Sequence, residues 1–466
     1  MELTTDSGQT TQHLWQQDHD HFIHPYTNFA KFPKEGAVIY ARGEGHHIYD
    51  NDGRQFLDGI AGLWCVNIGH GRKEIADVMA EQAMRLAYYN TFGDASSPPA
   101  AQLSAKLAAI SPGSLNHVFY SSSGSVANDT AIKIAHYYFN QLGQPEKKLV
   151  LSRDQAYHGS TYLAHALTGI RISHLSFDLP TDLVHYLRAP YAFREANGRT
   201  DAEFCDLLID EMEEAIQRIG PEKIACFIAE PIMGAGGVIV PPAGYQRRTK
   251  ALCEQYGILY ISDEVVTAFG RLGHLISSEA EFGVVPDMLV MAKGISSGYV
   301  PLGGTMISDQ IYDVISRPKP GNPYFSHGFT YSGHALACAV GLANIELMER
   351  EDLCGQVRKW GPYFEQQLKT LEDLPIVGEV RGSHYMLCVE YVKDLASRAA
   401  FEAEVGIGKR IYYHCKERGL ILRPIGNCTI LSPPLTYDKA AIDQTVNIIR
   451  AAIEATLVDL QREGLL

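Results

Sequence analysis

Several features that would assign this chain quickly are missing from it. No stretch approaches the ~18 consecutive apolar residues of a membrane-spanning helix, which argues against an integral helical membrane protein. The first twenty residues have neither a basic start nor an apolar core, so no secretory signal is read there. There is no run of Lys and Arg. Forty basic side chains against fifty-four acidic ones leave a net charge of −14, a poor match for nucleic acid as a partner. The nine cysteines are scattered and form no C-x-x-C pair, which predicts reduced thiols and a cytoplasmic location. Internal repeats and low-complexity tracts are absent. Ser332 and His334 lie close together but without a nucleophile elbow around the serine, so serine-hydrolase chemistry is set aside. His13, His19, His21 and His24 cluster with Asp18 and Asp20, and the spacing lets His21 and His24 share a helix face. No cysteine or third ordered ligand stands nearby, so no metal site is predicted. Gly234-Ala235-Gly236-Gly237 follows Glu-Pro and precedes the strand-like Val238-Ile239-Val240, not a helix, so it lacks the context of a dinucleotide fingerprint.

What is present is an ordinary globular composition, 46% hydrophobic and 20% charged over 466 residues, enough for two or three units. Unbroken apolar runs at 148–152, 224–229, 258–262 and 288–292 read as strands buried on both faces. The last three recur about every thirty residues, the spacing of strand–helix units in a parallel sheet. Gly36 to Asp58 alternates polar and apolar residues like a small antiparallel meander. From Gly341 the pattern is helix, short strands, helix, and Lys439 to Leu460 has helical spacing. The fold class predicted is α/β. A large domain, residues 71–335, carries a mostly parallel sheet, and a smaller α+β domain is built from residues 1–70 and 336–466 together.

Function in such a sheet collects at the carboxyl ends of the strands. The residues that follow the apolar runs are Tyr157-His158-Gly159, Glu230-Pro231, Asp263-Glu264-Val265 and Lys293-Gly294. A lysine flush against an apolar strand needs a reason, because buried charge is costly. A desolvated lysine can lose its proton and form an imine with an aldehyde. Pyridoxal 5′-phosphate (PLP) then accounts for the neighbours. Asp263, thirty residues before Lys293, would hold the pyridine nitrogen, and Tyr157 offers a ring to stack on it. Ser123-Gly124-Ser125, ahead of a helical pattern, would cradle the phosphate.

With these residues in place, the sequence resembles the class III, ω-type PLP-dependent aminotransferases, enzymes of fold type I. The likeness runs from His24-Pro25-Tyr26-Thr27 to Ser432-Pro433-Pro434-Leu435. It is carried by 61–67, Tyr157-His158-Gly159-Ser160-Thr161, Glu230-Pro231 with 234–242, Asp263-Glu264-Val265 with Phe269-Gly270-Arg271, Ala292-Lys293-Gly294 and 327–334. The resemblance implies that Lys293 forms the Schiff base and later moves the proton, while Asp263 holds the ring N–H. Tyr157 and Val265 cover the two ring faces, and Ser123, Gly124 and Ser125 bind the phosphate. Glu230 and His158 belong to the cofactor's polar surroundings. Thr330 would reach the phosphate of the neighbouring subunit, so a homodimer or dimer of dimers is expected. Trp64, Tyr26 and Phe92 would line the substrate pocket, and Arg423 would pair with a keto-acid carboxylate and swing away for an amine.

The implied reaction is ping-pong transfer from a primary amine (a diamine, ω-amino acid or arylalkylamine) to a keto acid, with pyruvate preferred as in the amine:pyruvate ω-transaminases. The alternatives are a 2-oxoglutarate-dependent aminotransferase, an aminomutase or a decarboxylase of the same fold, or a PLP-binding protein without turnover. Four positions depart from the family pattern: Val126, Ala335, Met233 and Gly93. The last two are expected to bear on pocket size.

Overall fold

The computed structural model describes residues 10–319, 321 and 324–466. Its centre is a seven-stranded sheet. The strands are β1 (Leu115–Ser121), β2 (Leu149–Arg153), β3 (Val184–Leu187), β4 (Ile224–Ala229), β5 (Leu259–Asp263), β6 (Met288–Met291) and β7 (Gly303–Ser308). Their order across the sheet is β1-β7-β6-β5-β4-β2-β3. Only β7 runs against its neighbours, β1 and β6; the other pairings are parallel. The four apolar runs thus become β2, β4, β5 and β6. β3 and β7 lack such a run: β3 is the short Val-His-Tyr-Leu and β7 begins with two glycines.

Burial on both faces explains the unbroken apolar strands. On one face, Ala127, Ala131, Ile134 and Ala135 of the helix Gly124–Leu142 meet Val150, Ile228, Ile261 and Val290. On the other, Phe204, Leu208 and Met212 of the helix Asp201–Ile219 meet Leu151, Phe227 and Tyr260. Each of the larger apolar side chains among them contributes about 1.5–3 kcal/mol when fully removed from water. The helix Asp201–Ile219 starts on a reciprocal capping box, Thr200 with Glu203. The helix Gly124–Leu142 stops at Gly143, whose φ of 79° is the left-handed conformation glycine takes without strain.

Chain ends meet in a second region. The antiparallel strands Tyr40–Glu44, His47–Asp50 and Gln55–Asp58 are joined by Leu420–Ile421, which pairs parallel to Gln55–Asp58. A further antiparallel sheet has the order Val377–Ser383, Met386–Tyr391, Cys428–Leu431, Arg423–Ile425, so Arg423 lies on its edge. The closing helix is Lys439–Arg462. Near the start, the helix Thr11–His21 ends before His24, so His21 and His24 do not share a helix face; His24 instead bonds Asp18 at 2.7 Å. Among the described residues no group of His, Cys, Asp or Glu is arranged to hold a metal ion, and none of the helices is long and apolar enough to cross a membrane. All nine cysteines are free.

One buried lysine is structural. Lys147, just ahead of β2, donates to the carbonyls of Pro221 (2.9 Å), Ile224 (3.1 Å) and Gly257 (2.8 Å). It pins the entries of β2, β4 and β5 together. Lys147→Ala removes one donor group from three carbonyls and is expected to lower the unfolding free energy by about 2–4 kcal/mol, read from the urea midpoint at unchanged slope.

Candidate active site

The parallel registers bring three strand ends level. Ala229 of β4 pairs with Ser262 of β5, and Asp263 pairs with Val290 of β6. Glu230, Asp263 and Lys293 therefore emerge side by side at the carboxyl edge. A cavity of about 360 Å³ opens there, lined by Trp64, Ser123, Gly124, Ser125, Tyr157, His158, Glu230, Asp263, Val265 and Lys293 among others. Ten of the fourteen residues singled out from the sequence are thus gathered in one wall.

Lys293 begins a short 3₁₀ turn directly after β6, with a φ of 46° that a residue bearing a Cβ rarely adopts. Burial pushes its ammonium below the ordinary lysine value, against the opposing pull of Asp263, Cys65 and Glu230. Its Nζ lies 5.0 Å from the centre of the Trp64 ring. Trp64 is itself held at a φ of 57°, in a turn where Ala61 also has a positive φ. The Asp58 carboxylate fixes that turn by accepting from the N–H groups of Ile60 and Gly62 and bonding His70.

Both oxygens of the Asp263 carboxylate are held, with room on Oδ1 for one more donor. Oδ2 accepts from Asn128 Nδ2 at 2.8 Å and contacts His158 Nδ1 at 2.7 Å, while Oδ1 accepts from the Val265 N–H at 3.1 Å. Glu230 accepts from the backbone N–H groups of Tyr157 (2.9 Å) and Gly234 (2.8 Å), and burial pushes its carboxyl up. The Tyr157 hydroxyl contacts Ser160 Oγ at 3.1 Å and is pushed up to about 12, chiefly by burial.

At the other end of the cavity the helix Gly124–Leu142 begins. Ser123 is its N-cap, accepting from the Val126 N–H, and Ser125 Oγ accepts from the Ser160 N–H at 3.1 Å. Gly124 is required by close approach, since a Cβ there would lie 2.9 Å from a Val265 methyl. Gly159 is equally constrained: its φ is 138° and a Cβ would lie 2.4 Å from Ser125 Oγ. The result is a cup of N–H and hydroxyl groups on a helix N-terminus, suited to a dianion.

The remaining four residues stand apart from this wall. Arg423 is half-buried with its guanidinium 5.7 Å from the Trp64 ring centre. Among the described residues no carboxylate pairs with it, and its Nε has no hydrogen-bond partner. Burial pushes its value down, opposed by Tyr157 and Tyr26. Tyr26 is exposed, and its hydroxyl reaches Ser160 Oγ at 2.9 Å and the Tyr157 hydroxyl at 3.5 Å. Phe92 is exposed, packed against Gly328. Thr330 is exposed too, its carbonyl accepting from the Tyr88 hydroxyl. Of the four departures, Met233 is buried beside Ala156, Ile239 and Tyr191 and does not line the cavity, contrary to the expectation that it bears on pocket size. The sequence reading missed Asn128, hidden inside a helix, and the wall formed by Ser296, Gly298, Val300, Pro301 and Leu302, which belongs to an irregular segment.

A β3-β2-β4-β5-β6-β7-β1 sheet with lysine, aspartate and an N–H cup at its carboxyl edge defines a PLP-dependent enzyme of fold type I. The residues present fit that cofactor: the cup for its phosphate, Asp263 for the ring nitrogen, Tyr157 for a ring face and a desolvated Lys293 for its aldehyde carbon. The chain belongs to the class III aminotransferases, whose family model matches residues 30–453. It is therefore an aminotransferase and uses PLP. It is 38% identical over 444 residues to the putrescine–pyruvate aminotransferase of Pseudomonas aeruginosa, covering 95% of this chain and 96% of that one. It is 40% identical to the diaminobutyrate–2-oxoglutarate transaminase of Halomonas elongata, covering 94% of each. A thermostable (S)-enantioselective omega-transaminase from Thermomicrobium roseum superposes with a TM-score of 0.94 at 44% identity, covering 97% of this chain and all of that one.

The lowered lysine has a consequence for stability. Between its folded value and the ordinary 10.5, the unfolded chain holds a proton that the folded chain has released, so stability rises with pH across that interval. The cofactor-free Lys293→Met variant is expected to be more stable than the cofactor-free parent at pH 7. The gap should close as pH approaches 10.5, measured by urea unfolding at several pH values.

Proposed function

We propose that this chain transfers an amino group from a primary amine (a diamine, ω-amino acid or arylalkylamine) to pyruvate, in two half-reactions that share one cavity. The observation that carries the reading is the pairing of a desolvated Lys293 with Arg423, an arginine without a carboxylate partner among the described residues, over the same indole ring. PLP, when bound, supplies the electron sink that lets the substrate's Cα–H bond break.

The chain's own residues do the rest. Ser123, Gly124 and Ser125 hold the phosphate at the helix start. Asp263 accepts from the ring nitrogen, and Tyr157 and Val265 exclude water from the two ring faces. Burial disfavours the ammonium form of Lys293, so its Nζ is free to take the proton from the substrate carbon and would deliver it to the carbon that was the cofactor's aldehyde. Glu230 and His158 hold Tyr157 and Asp263 in place. Arg423 binds the carboxylate of pyruvate bidentately and withdraws when a tail without a carboxylate enters. Trp64 is the surface it rests on, and Tyr26 and Phe92 form the outer path of the substrate. Thr330 is exposed, does not line this chain's cavity and would complete the phosphate cup of a second subunit, so the active unit is a homodimer, alone or paired, in the cytoplasm.

Alanine formation from pyruvate tests this with the PLP-loaded protein and a panel of 1,4-diaminobutane, β-alanine and 1-phenylethylamine. Amine should bleach the visible band of the bound cofactor and pyruvate should restore it. Arg423→Ala is expected to raise the KM for pyruvate roughly tenfold or more while leaving the half-reaction with 1-phenylethylamine within about twofold. Turnover with 2-oxoglutarate and none with pyruvate overturns the acceptor assignment. Release of CO₂ without a keto acid points instead to a decarboxylase, and a protein that takes up no PLP overturns the whole scheme.

A further inference from the structure

Resting on the cofactor reading above, we infer that Asn128 is a positioning residue: it fixes the Asp263 carboxylate and ties it, through one helix, to the phosphate cup. Asn128 lies one turn inside the helix Gly124–Leu142, whose first residues form that cup, and it is 1% exposed. Its Nδ2 donates to two acceptors, Asp263 Oδ2 at 2.8 Å and the His158 carbonyl at 2.7 Å. A carbonyl oxygen and a carboxylate only accept, so the partners define which end of the amide is nitrogen. Among the described residues the amide oxygen has no partner.

The terminal torsion of an aspartate is broad, so packing alone does not set the plane of its carboxylate. Here three N–H donors set it, and they come from three separate stretches of chain. Asn128 arrives from the helix, His158 from the loop after β2, and the Val265 N–H from the turn after β5. Of these, Asn128 alone sits on the element that also presents the cup. A ring gripped at its phosphate and at its nitrogen needs a fixed separation between the two grips, because a displacement of about 1 Å costs rate. The stiffness of one helix supplies that separation. Without the amide the cup survives and the carboxylate is free to turn, so the chemical step should suffer more than cofactor retention or substrate binding.

The test compares PLP-loaded wild type, Asn128→Ala and Asn128→Asp as full-length enzymes. Asn128→Ala should keep its PLP and lower kcat about tenfold to a hundredfold, the factor carried by one lost hydrogen bond to a charged group, with the amine KM within about threefold. The pH midpoint of the cofactor's visible band should move upward, because a ring that carries less positive charge holds its remaining proton more tightly. Asn128→Asp keeps the shape but sets a second carboxylate against Asp263, and should lose more in kcat than Asn128→Ala. A wild-type kcat and midpoint in Asn128→Ala overturns the inference. So does a loss confined to thermal midpoint and cofactor content with kcat per bound PLP unchanged, the mark of a purely structural role. If Asn128→Ala yields no soluble protein, Asn128→Asp decides: wild-type kcat per bound PLP overturns the inference, and a larger loss upholds it. A wild type that binds no PLP overturns the cofactor reading itself, which separates that failure from this one.

Discussion

A lysine amine half-buried at the end of an apolar strand is the constraint around which the site is arranged. Its desolvation has to be offset, and two carboxylates from the neighbouring strand ends, Asp263 and Glu230, do so in part. That arrangement requires parallel strands with level ends, which in turn requires apolar faces on both sides of the sheet and helices to cover them. It also requires backbone conformations that are unfavourable alone. Lys293 and Trp64 both sit at positive φ, and the surrounding bonds, such as those of Asp58 to the turn at Ile60 and Gly62, hold them there.

Much of this was legible in the sequence, and the parts that were not have physical reasons. A strand buried on both faces announces itself as an apolar run, so β2, β4, β5 and β6 were readable, and the residue after each run pointed to the chemistry. β7 opens with Gly303 because Ser121 and Ser123 approach its backbone too closely for a side chain, and that packing need weakens the apolar signal. Asn128 carried no signal because its partners, Asp263 and the His158 carbonyl, are 135 and 30 residues away in sequence. Met233 misled for the opposite reason: it sits two residues after the Glu-Pro of the site, yet its side chain turns into a small cluster with Ala156 and Ile239.

The relatives divide over their acceptor, one named for pyruvate and another for 2-oxoglutarate, at nearly the same identity to this chain. A common floor of lysine, aspartate and phosphate cup is compatible with both. In the function proposed above, discrimination between acceptors would fall to Arg423, Trp64 and Tyr26 rather than to the strand ends.

Floor and mouth also differ in origin. Lys293 and Asp263 issue from the central sheet, whereas Arg423 starts the edge strand of another sheet, bonded on one side only. An edge strand tolerates sequence drift and small shifts that a central strand cannot absorb. If Arg423 plays the part proposed for it, substrate choice can therefore be reworked at this edge while the chemistry beneath it stays frozen, and laboratory selection for new substrates has the same soft target.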